Sequence, residues 1–274
     1  MTDKYDGLEK VEFDVTEEAW EVYQLLYQDN IDFESPDNEG IVFPEKKRSY
    51  IETEFKTERG KGSKINFSGE TDFNFKNNGN VTLSVMNRYR FFCEKADKEK
   101  CKELQETLNE LMYSVLNVSL MPQTGSMQAV KKGIGNDRPD TFVWALDAYY
   151  KDDVQLLLNF ATANNTESLK EYLSLFQNAG EYCGLIYHIK DDKLVSDLIE
   201  SGKKPIDSAE RAAEYIRLAF RFWSQKVEFL SGKVKKGSKM DATLKKAEKQ
   251  LKKAVDLFDE LEKLREPLKI PYRA

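Results

Sequence analysis

The spacing of apolar residues changes once along this chain, near Asp97, and that change limits the fold more than any single residue does. Before it, Tyr50-Ile-Glu-Thr-Glu-Phe-Lys, Lys64-Ile-Asn-Phe-Ser, Thr71-Asp-Phe-Asn-Phe-Lys and Val81-Thr-Leu-Ser-Val alternate apolar with polar residues, the pattern of strands with one buried and one wet face. Asn77-Asn-Gly-Asn supplies a hairpin turn, because Asn and Gly accept the positive φ such turns need. A small antiparallel sheet is therefore predicted over about residues 41–86. After Asp97, Cys101, Leu104, Leu108, Leu111 and Val115 recur three and four residues apart, which is one face of a helix. The prediction is an α+β fold: one domain over residues 1–231, sheet-rich to residue 95 and helical from 96, followed by a basic helical appendage over 232–274.

Local signals refine this outline. Asp14-Val-Thr-Glu reads as a capping box opening a helix over about 16–28, and Asp207-Ser-Ala-Glu opens another whose Tyr215, Leu218, Phe222 and Trp223 are core candidates. Ser35-Pro-Asp-Asn-Glu-Gly is a turn cluster. Phe142, Val143, Leu146, Tyr149 and Tyr150 form one helix face, and Leu169, Tyr172, Leu173 and Phe176 another, with Gly180 expected to close it. Gly232-Lys-Val-Lys-Lys-Gly-Ser-Lys reads as a mobile basic link before a last helix, about 241–266, that carries Leu244, Leu251, Phe258 and Leu261 near heptad spacing.

Composition removes several classes of function. With 40% hydrophobic and 12% aromatic residues the chain can fill a real core. No apolar run of about 18 residues occurs, and no basic segment with an apolar stretch opens the chain, so neither membrane spanning nor secretion is expected. The three cysteines, Cys93, Cys101 and Cys183, lack metal-ligand spacing and suit a reducing cytoplasm. His188 is the only histidine, which leaves a catalytic zinc site or a Ser-His-Asp triad almost without material. It lies in an apolar run and is read as a core histidine, not a general base. Cys101 falls on the core face as a small hydrophobe. The formal balance is -6, yet residues 226–273 hold 14 Lys/Arg against 8 Asp/Glu, so charge is segregated toward the C-terminal end.

Two constellations carry the chemistry that is left. The first lies between Tyr113 and Tyr150, a stretch read as a long Gly- and Pro-punctuated loop joining two helices, and such loops are usually functional. Asp140 and Asp147 are seven residues apart and share a helix face beside Arg138 and the Thr124-Gly125 turn; two carboxylates there suit Mg²⁺ or a shared proton. Asp137 and Asp140 also fit plain capping and first-turn roles. Lys131 and Lys132, followed by Gly133 and Gly135, suit a phosphate without having Walker or Rossmann spacing. Asn117 opens this unit and completes the set of binding candidates. The second constellation is Pro36-Asp37 with Glu54-Phe55-Lys56, where alternation puts Glu54 and Lys56 on one strand face. It resembles the Pro-Asp...Glu-x-Lys pattern of a large nuclease superfamily, which implies two acids holding Mg²⁺ and a lysine activating water; the hairpin-like surroundings depart from that superfamily's mixed sheet. Arg217 and Arg221, beside Tyr215 and Trp223, suit stacking or phosphate but equally an ordinary amphipathic helix.

Across about residues 20–225 the chain also resembles a diverse family of uncharacterised bacterial and phage proteins, through Tyr23-Gln-Leu-Leu-Tyr, Val115-Leu-Asn-Val-Ser-Leu-Met-Pro, a Gly-containing loop, Asp137-Arg-Pro-Asp-Thr-Phe and Tyr149-Tyr150. The resemblance implies that Asn117 to Tyr150 is one unit and brings no established activity.

The expectation that follows is a non-catalytic cytoplasmic binding protein without a cofactor, an accessory factor of bacterial or phage defence or counter-defence acting through protein contacts. Its partner is a second protein, or another copy reached through the C-terminal helix; nucleic acid is less favoured because the total charge is negative. The competing expectation is a Mg²⁺-dependent enzyme acting on nucleotides or nucleic acid, through Asp140 and Asp147 or through Asp37, Glu54 and Lys56.

Overall fold

A computed structural model describes residues 13–35, 50–75, 85–86, 89, 97–122, 138–153, 157 and 166–265. A 3₁₀ turn, Phe13–Val15, leads into α1 (Glu17–Tyr27). Thr16 caps α1 by accepting the Ala19 amide at 3.2 Å, so the cap is Thr16 and not the expected Asp14. The same slip recurs at Ala209–Lys233, where Ser208 and not Asp207 is the N-cap.

Strands β1 (Tyr50–Thr53) and β4 (Ile65–Thr71) pair antiparallel, with Ile51 opposite Phe67. Between them β2 (Lys56–Thr57) and β3 (Gly60–Lys61) make a separate short ladder. The third strand of the main sheet comes from outside the N-terminal third. Val118–Pro122, expected as loop, is β5, and it pairs with β4 antiparallel with Leu120 opposite Gly69, giving the order β1-β4-β5. The sheet therefore departs from the expected one-sided alternation: β5 is buried at every residue and β4 buries Phe67 to Glu70 without a break. The chain leaves the strand at Asp72, so Thr71-Asp-Phe-Asn-Phe does not continue as a strand; the expected hairpin at Asn77 and residues 81–84 of the next expected strand lie outside the described residues, while Val85 and Met86 are helical and do not end a strand as expected. Gly69 is required where it stands, because a Cβ there would overlap the Asp14 carbonyl oxygen and the Tyr23 hydroxyl.

Helices complete the fold: α2 (Lys98–Met112), α3 (Pro139–Tyr150), α4 (Thr166–Leu173), α5 (Ala179–Tyr182), α6 (Asp192–Gly202), α7 (Ala209–Lys233) and α8 (Lys239–Arg265). Gly180 lies inside α5, which Asn178 caps, so it does not close the preceding helix as expected. A single turn of π-helix, Cys183–Tyr187, follows α5 and ends on His188 in the left-handed region at φ 57°. Cys101, Leu104, Leu108, Leu111 and Val115 are all buried, as their spacing predicts. The core between sheet and helices is aromatic: Phe55 meets Phe67, Tyr172 and Phe176 with centroids 5.8–6.0 Å apart, and Phe73 meets Tyr215, Phe222 and Trp223 at 5.1–6.0 Å. Offset and edge-on contacts of this kind add to the area they bury.

The C-terminal helix belongs to the same core. α7 runs through Gly232 to Lys233, so the link is residues 234–238, shorter than the glycine suggested. It closes a helical hairpin: Gly237 takes φ 80°, the Asp241 amide donates to Ser238 Oγ at 3.1 Å, and the Asp241 carboxylate accepts the Gly237 amide at 2.8 Å. Leu244, Ala247, Leu251, Ala254, Phe258 and Leu261 are buried in a 3-4 repeat against α2 and α7. Each large side chain among them contributes about 1.5–3 kcal/mol of burial, and Lys253–Glu103 (2.8 Å), Lys100–Glu260 (2.6 Å) and Thr243–Glu18 (2.6 Å) tie the helix along its length. Its seam is covered from within the chain, so any self-association through it requires α8 to leave its place.

Candidate functional site

The residues that attracted attention in the sequence are distributed over three environments. Asp37, Thr124, Gly125, Lys131 and Lys132 lie outside the described residues. Glu54 lies between β1, which ends at Thr53, and β2, which begins at Lys56; Phe55 between them is buried while Glu54 and Lys56 are not. Both oxygens of Glu54 accept from Lys61 Nζ, at 3.0 and 2.9 Å, while the Lys56 main chain is held by Asn30.

Asn117 is fully buried and spends its whole amide inside the fold. Its Oδ1 accepts the Phe73 amide at 2.9 Å and Trp223 Nε1 at 3.0 Å; its Nδ2 donates to the Phe73 and Met112 carbonyls at 2.9 and 3.1 Å. An Asn side chain has two donors and one oxygen to offer, so this one joins sheet, α2 and α7. Asp140, also fully buried, forms a bidentate pair with Arg138, Nε to Oδ1 at 3.0 Å and Nη2 to Oδ2 at 2.6 Å, and accepts Ser201 Oγ at 2.7 Å and the Thr141 amide at 2.9 Å. Burial works against the Arg138 guanidinium, and the Asp140 carboxylate more than offsets it, holding its pKa above the usual arginine value. The pair locks α3 to α6, whose Gly202 has no room for a Cβ beside the Asp140 carbonyl. Asp147 is only partly buried and pairs with Lys151 at 2.8 Å. A cation on Asp140 and Asp147 has to displace these partners.

The one fully buried cation among the described residues carries no motif in the sequence. Lys226, on α7 between Phe222 and Leu230, is fully buried and pairs with the fully buried Asp72 at 2.7 Å. Its ammonium also donates to Ser119 Oγ at 2.9 Å and to the Val118 carbonyl, and Ser119 Oγ donates to Asp72 Oδ2 at 3.0 Å. The signal was a lysine three residues beyond Trp223 on an apolar stripe. Around this centre, Tyr27 donates to the Ile186 carbonyl and accepts the Leu120 amide, and burial pushes the Tyr23, Tyr27 and Tyr187 hydroxyls well above the ordinary tyrosine range. His188 stacks on Phe229 with centroids 4.1 Å apart. Burial first, then Lys226, Lys233 and Lys190, pull its pKa down to about 3, so it is neutral, as the core reading expects. The Cys183 thiol is pushed up by burial alone. This centre is sealed, and its chemistry is that of a buried ion pair with a hydrogen-bonded shell.

The surface is where groups stand ready. Of the arginines flagged in the sequence, Arg217 pairs with Glu262 at 2.7 Å and covers the Phe258 ring, and Arg221 bridges Asp191 and Asp197. Arg217 and Arg221 line a groove of about 330 Å³ with Lys204 and Arg211, facing Asp197, Glu200 and Glu214, so the cations there are largely met by acids. The outer face of α8 is different. With the seam turned inward, Lys245, Lys246, Lys249, Lys252 and Lys253 are exposed with Glu248 among them, Asp256, Asp259 and Glu260 are exposed further along the helix, and Lys235, Lys236 and Lys239 extend the basic part around the link. Lys245 is held by Asp241 at 2.8 Å and Lys253 by Glu103; Lys246, Lys249 and Lys252 form no ion pair among the described residues. No helix of the described residues is long and apolar enough to cross a membrane. No protein-family model, curated protein or solved structure matches the chain.

Proposed function

We propose that this chain is a non-catalytic binding protein that engages an acidic protein surface through the lysine face of the α7–α8 hairpin. One observation carries the reading: the amphipathic division of α8, with its apolar residues committed to the core and an excess of lysines over acids on the outer face from Lys245 to Lys253, where Glu248 is the one acid and Lys246, Lys249 and Lys252 form no ion pair among the described residues. Uncompensated surface charge of one sign accelerates encounter and selects partners of the opposite sign. The candidates for chemistry point the same way, since Asn117, Asp140 and Glu54 are spent on contacts within the fold.

The test compares the wild-type chain with Lys246→Glu/Lys249→Glu/Lys252→Glu as bait in a host lysate treated with nuclease, at low and high salt. The expected result is a stoichiometric protein held by the wild type, released by salt and lost in the variant, with the same behaviour when that protein is purified and titrated. Failure to capture any stoichiometric protein at low salt, or equal capture by the variant, overturns the reading. Metal-dependent turnover of labelled DNA, RNA or nucleoside triphosphates that survives purification and disappears with Asp140→Ala or Glu54→Ala establishes the enzyme alternative instead.

A further inference from the structure

A groove of about 750 Å³ runs between the C-terminal end of α1, the turn that follows it and the α7–α8 link. It is lined by the apolar Leu25, Ile31, Phe33, Val234 and Met240 and by the acidic Glu21, Asp32 and Glu34, with Asp29 already paired to Lys233 at 2.9 Å, against Lys56 and Lys235. Glu21 and Glu34 are exposed and form no ion pair among the described residues. The lysine face of α8 begins at the edge of this groove, since Lys235, Ser238 and Met240 line it. An acidic socket and a basic ridge thus lie side by side on one molecule, each with charges left uncompensated.

We infer that the occupant of this groove is the lysine ridge of a second copy of the chain, in a two-fold symmetric dimer. The ridge cannot fold back into its own socket, because the seam of α8 is buried on α2 and α7 and its ends are tied by Thr243–Glu18 and Lys100–Glu260. A two-fold axis passing between adjacent complementary patches satisfies both at once, ridge to socket and socket to ridge, which is the economy of an isologous interface. From Lys246 to Lys252 the ridge extends about 9 Å along the helix, a length that a rim of a few acidic residues can meet. A phosphate backbone following the same ridge runs into the acidic rim, whereas a second copy brings both signs. The inference uses the lysine face of the proposed function but not its partner: the dimer covers that face until an acidic protein competes for it.

The experiment measures molar mass by light scattering across a concentration series and across salt from about 50 to about 500 mM, where the screening length falls from above to below 10 Å. The wild type is expected to approach twice 31.7 kDa at low salt and high concentration and to fall to the monomer mass at high salt. Two exposed-site variants separate the halves of the contact: Lys246→Glu/Lys249→Glu/Lys252→Glu on the ridge and Glu21→Lys/Glu34→Lys on the rim. Each alone is expected to be monomeric and folded by circular dichroism. An equimolar mixture of the two restores the dimer, because in a two-fold pair one contact is then wild type and the other is charge-reversed on both sides. A wild-type monomer at every concentration, a variant that stays dimeric, or a mixture that stays monomeric overturns the inference. A monomer that still captures an acidic partner sinks the inference alone, and a dimer that captures none sinks the proposed function alone.

Discussion

Lys226 and Arg138 face the same problem, a cation beside a fully buried aspartate with a serine hydroxyl as third member, and the fold solves it differently in each place. Arg138 offers a planar fork, so each oxygen of Asp140 receives its own donor, and the guanidinium keeps 16% of its side-chain surface exposed at the edge of the molecule. Lys226 offers a point charge. Among the described residues Asp72 takes it on Oδ2 and keeps Oδ1 without a hydrogen bond, and Lys226 has no exposed side-chain surface. Bidentate pairing is the stronger and more specific arrangement, yet the poorer pair stands at the deeper site, where β4, β5 and α7 meet. The difference teaches that burial depth, more than the quality of the pairing, sets what these clusters are worth: a cation with no path to water cannot be removed without stranding its partner.

The sharpest way to break the comparison is therefore at Lys226. Lys226→Met strands Asp72 as an unpaired buried charge and is expected to lose about 3–5 kcal/mol in urea unfolding; adding Asp72→Leu to it should recover most of that loss, since an apolar pair of similar volume avoids the stranded charge. A double variant as unstable as the single one shows that the loss is packing and not charge. Arg138→Met should lose less, roughly 1–3 kcal/mol, because Ser201 and the Thr141 amide still serve Asp140 and water reaches the edge. Equal losses at the two sites refute the ordering by depth.

Acid sharpens the same contrast through His188. Its folded pKa of about 3 lies below the unfolded value of 6.5, so below pH 6.5 the unfolded chain takes up a proton that the folded chain refuses. Stability is then complete above that pH and falls as pH drops toward 3, by about 2 kcal/mol between pH 6.5 and 5. His188→Asn tolerates the left-handed backbone and should flatten this slope in urea titrations at the two pH values, whereas Arg138→Met should leave the slope unchanged. At the small end, Glu54→Gln removes an ion pair between two exposed side chains and should leave the denaturation midpoint where it is.

The helical half of the fold was legible because α2, α7 and α8 carry long apolar stripes, and a stripe over several turns has one interpretation. β5 was not legible: Val118-Ser-Leu-Met-Pro is five residues long and its strand character depends on β4, some fifty positions earlier. The capping signals lie within two residues of the true caps, Thr16 and Ser208, but on a different side chain, since Asp, Ser and Thr accept the same hydrogen bond and only the backbone decides which one is in place. Among the sites, Arg138 and Asp140 are neighbours in the sequence, whereas the third member of their cluster, Ser201, comes from α6. Lys226 was missed because a lone lysine on an apolar helix face reads as a residue that snorkels to water, and nothing local announces Asp72 as its counter-charge. The lysine face was visible as a charge run, while its acidic neighbour needs α1 and the α7–α8 link brought together.

Asn117 has one more consequence, and it concerns the order in which parts of the molecule open. Its amide ties Phe73, Met112 and Trp223 at a single point, segments separated by as many as 150 positions along the chain, so any one of them that detaches leaves a buried donor or acceptor of the amide unsatisfied. Amide protons at Asp72, just past β4, and at Leu120, on β5, should then exchange with solvent in the same cooperative event as those of α7 around Trp223, with a shared opening free energy close to that of global unfolding. In Asn117→Ala the link is cut, and the sheet should begin to exchange by itself, faster than the helix that used to hold it shut.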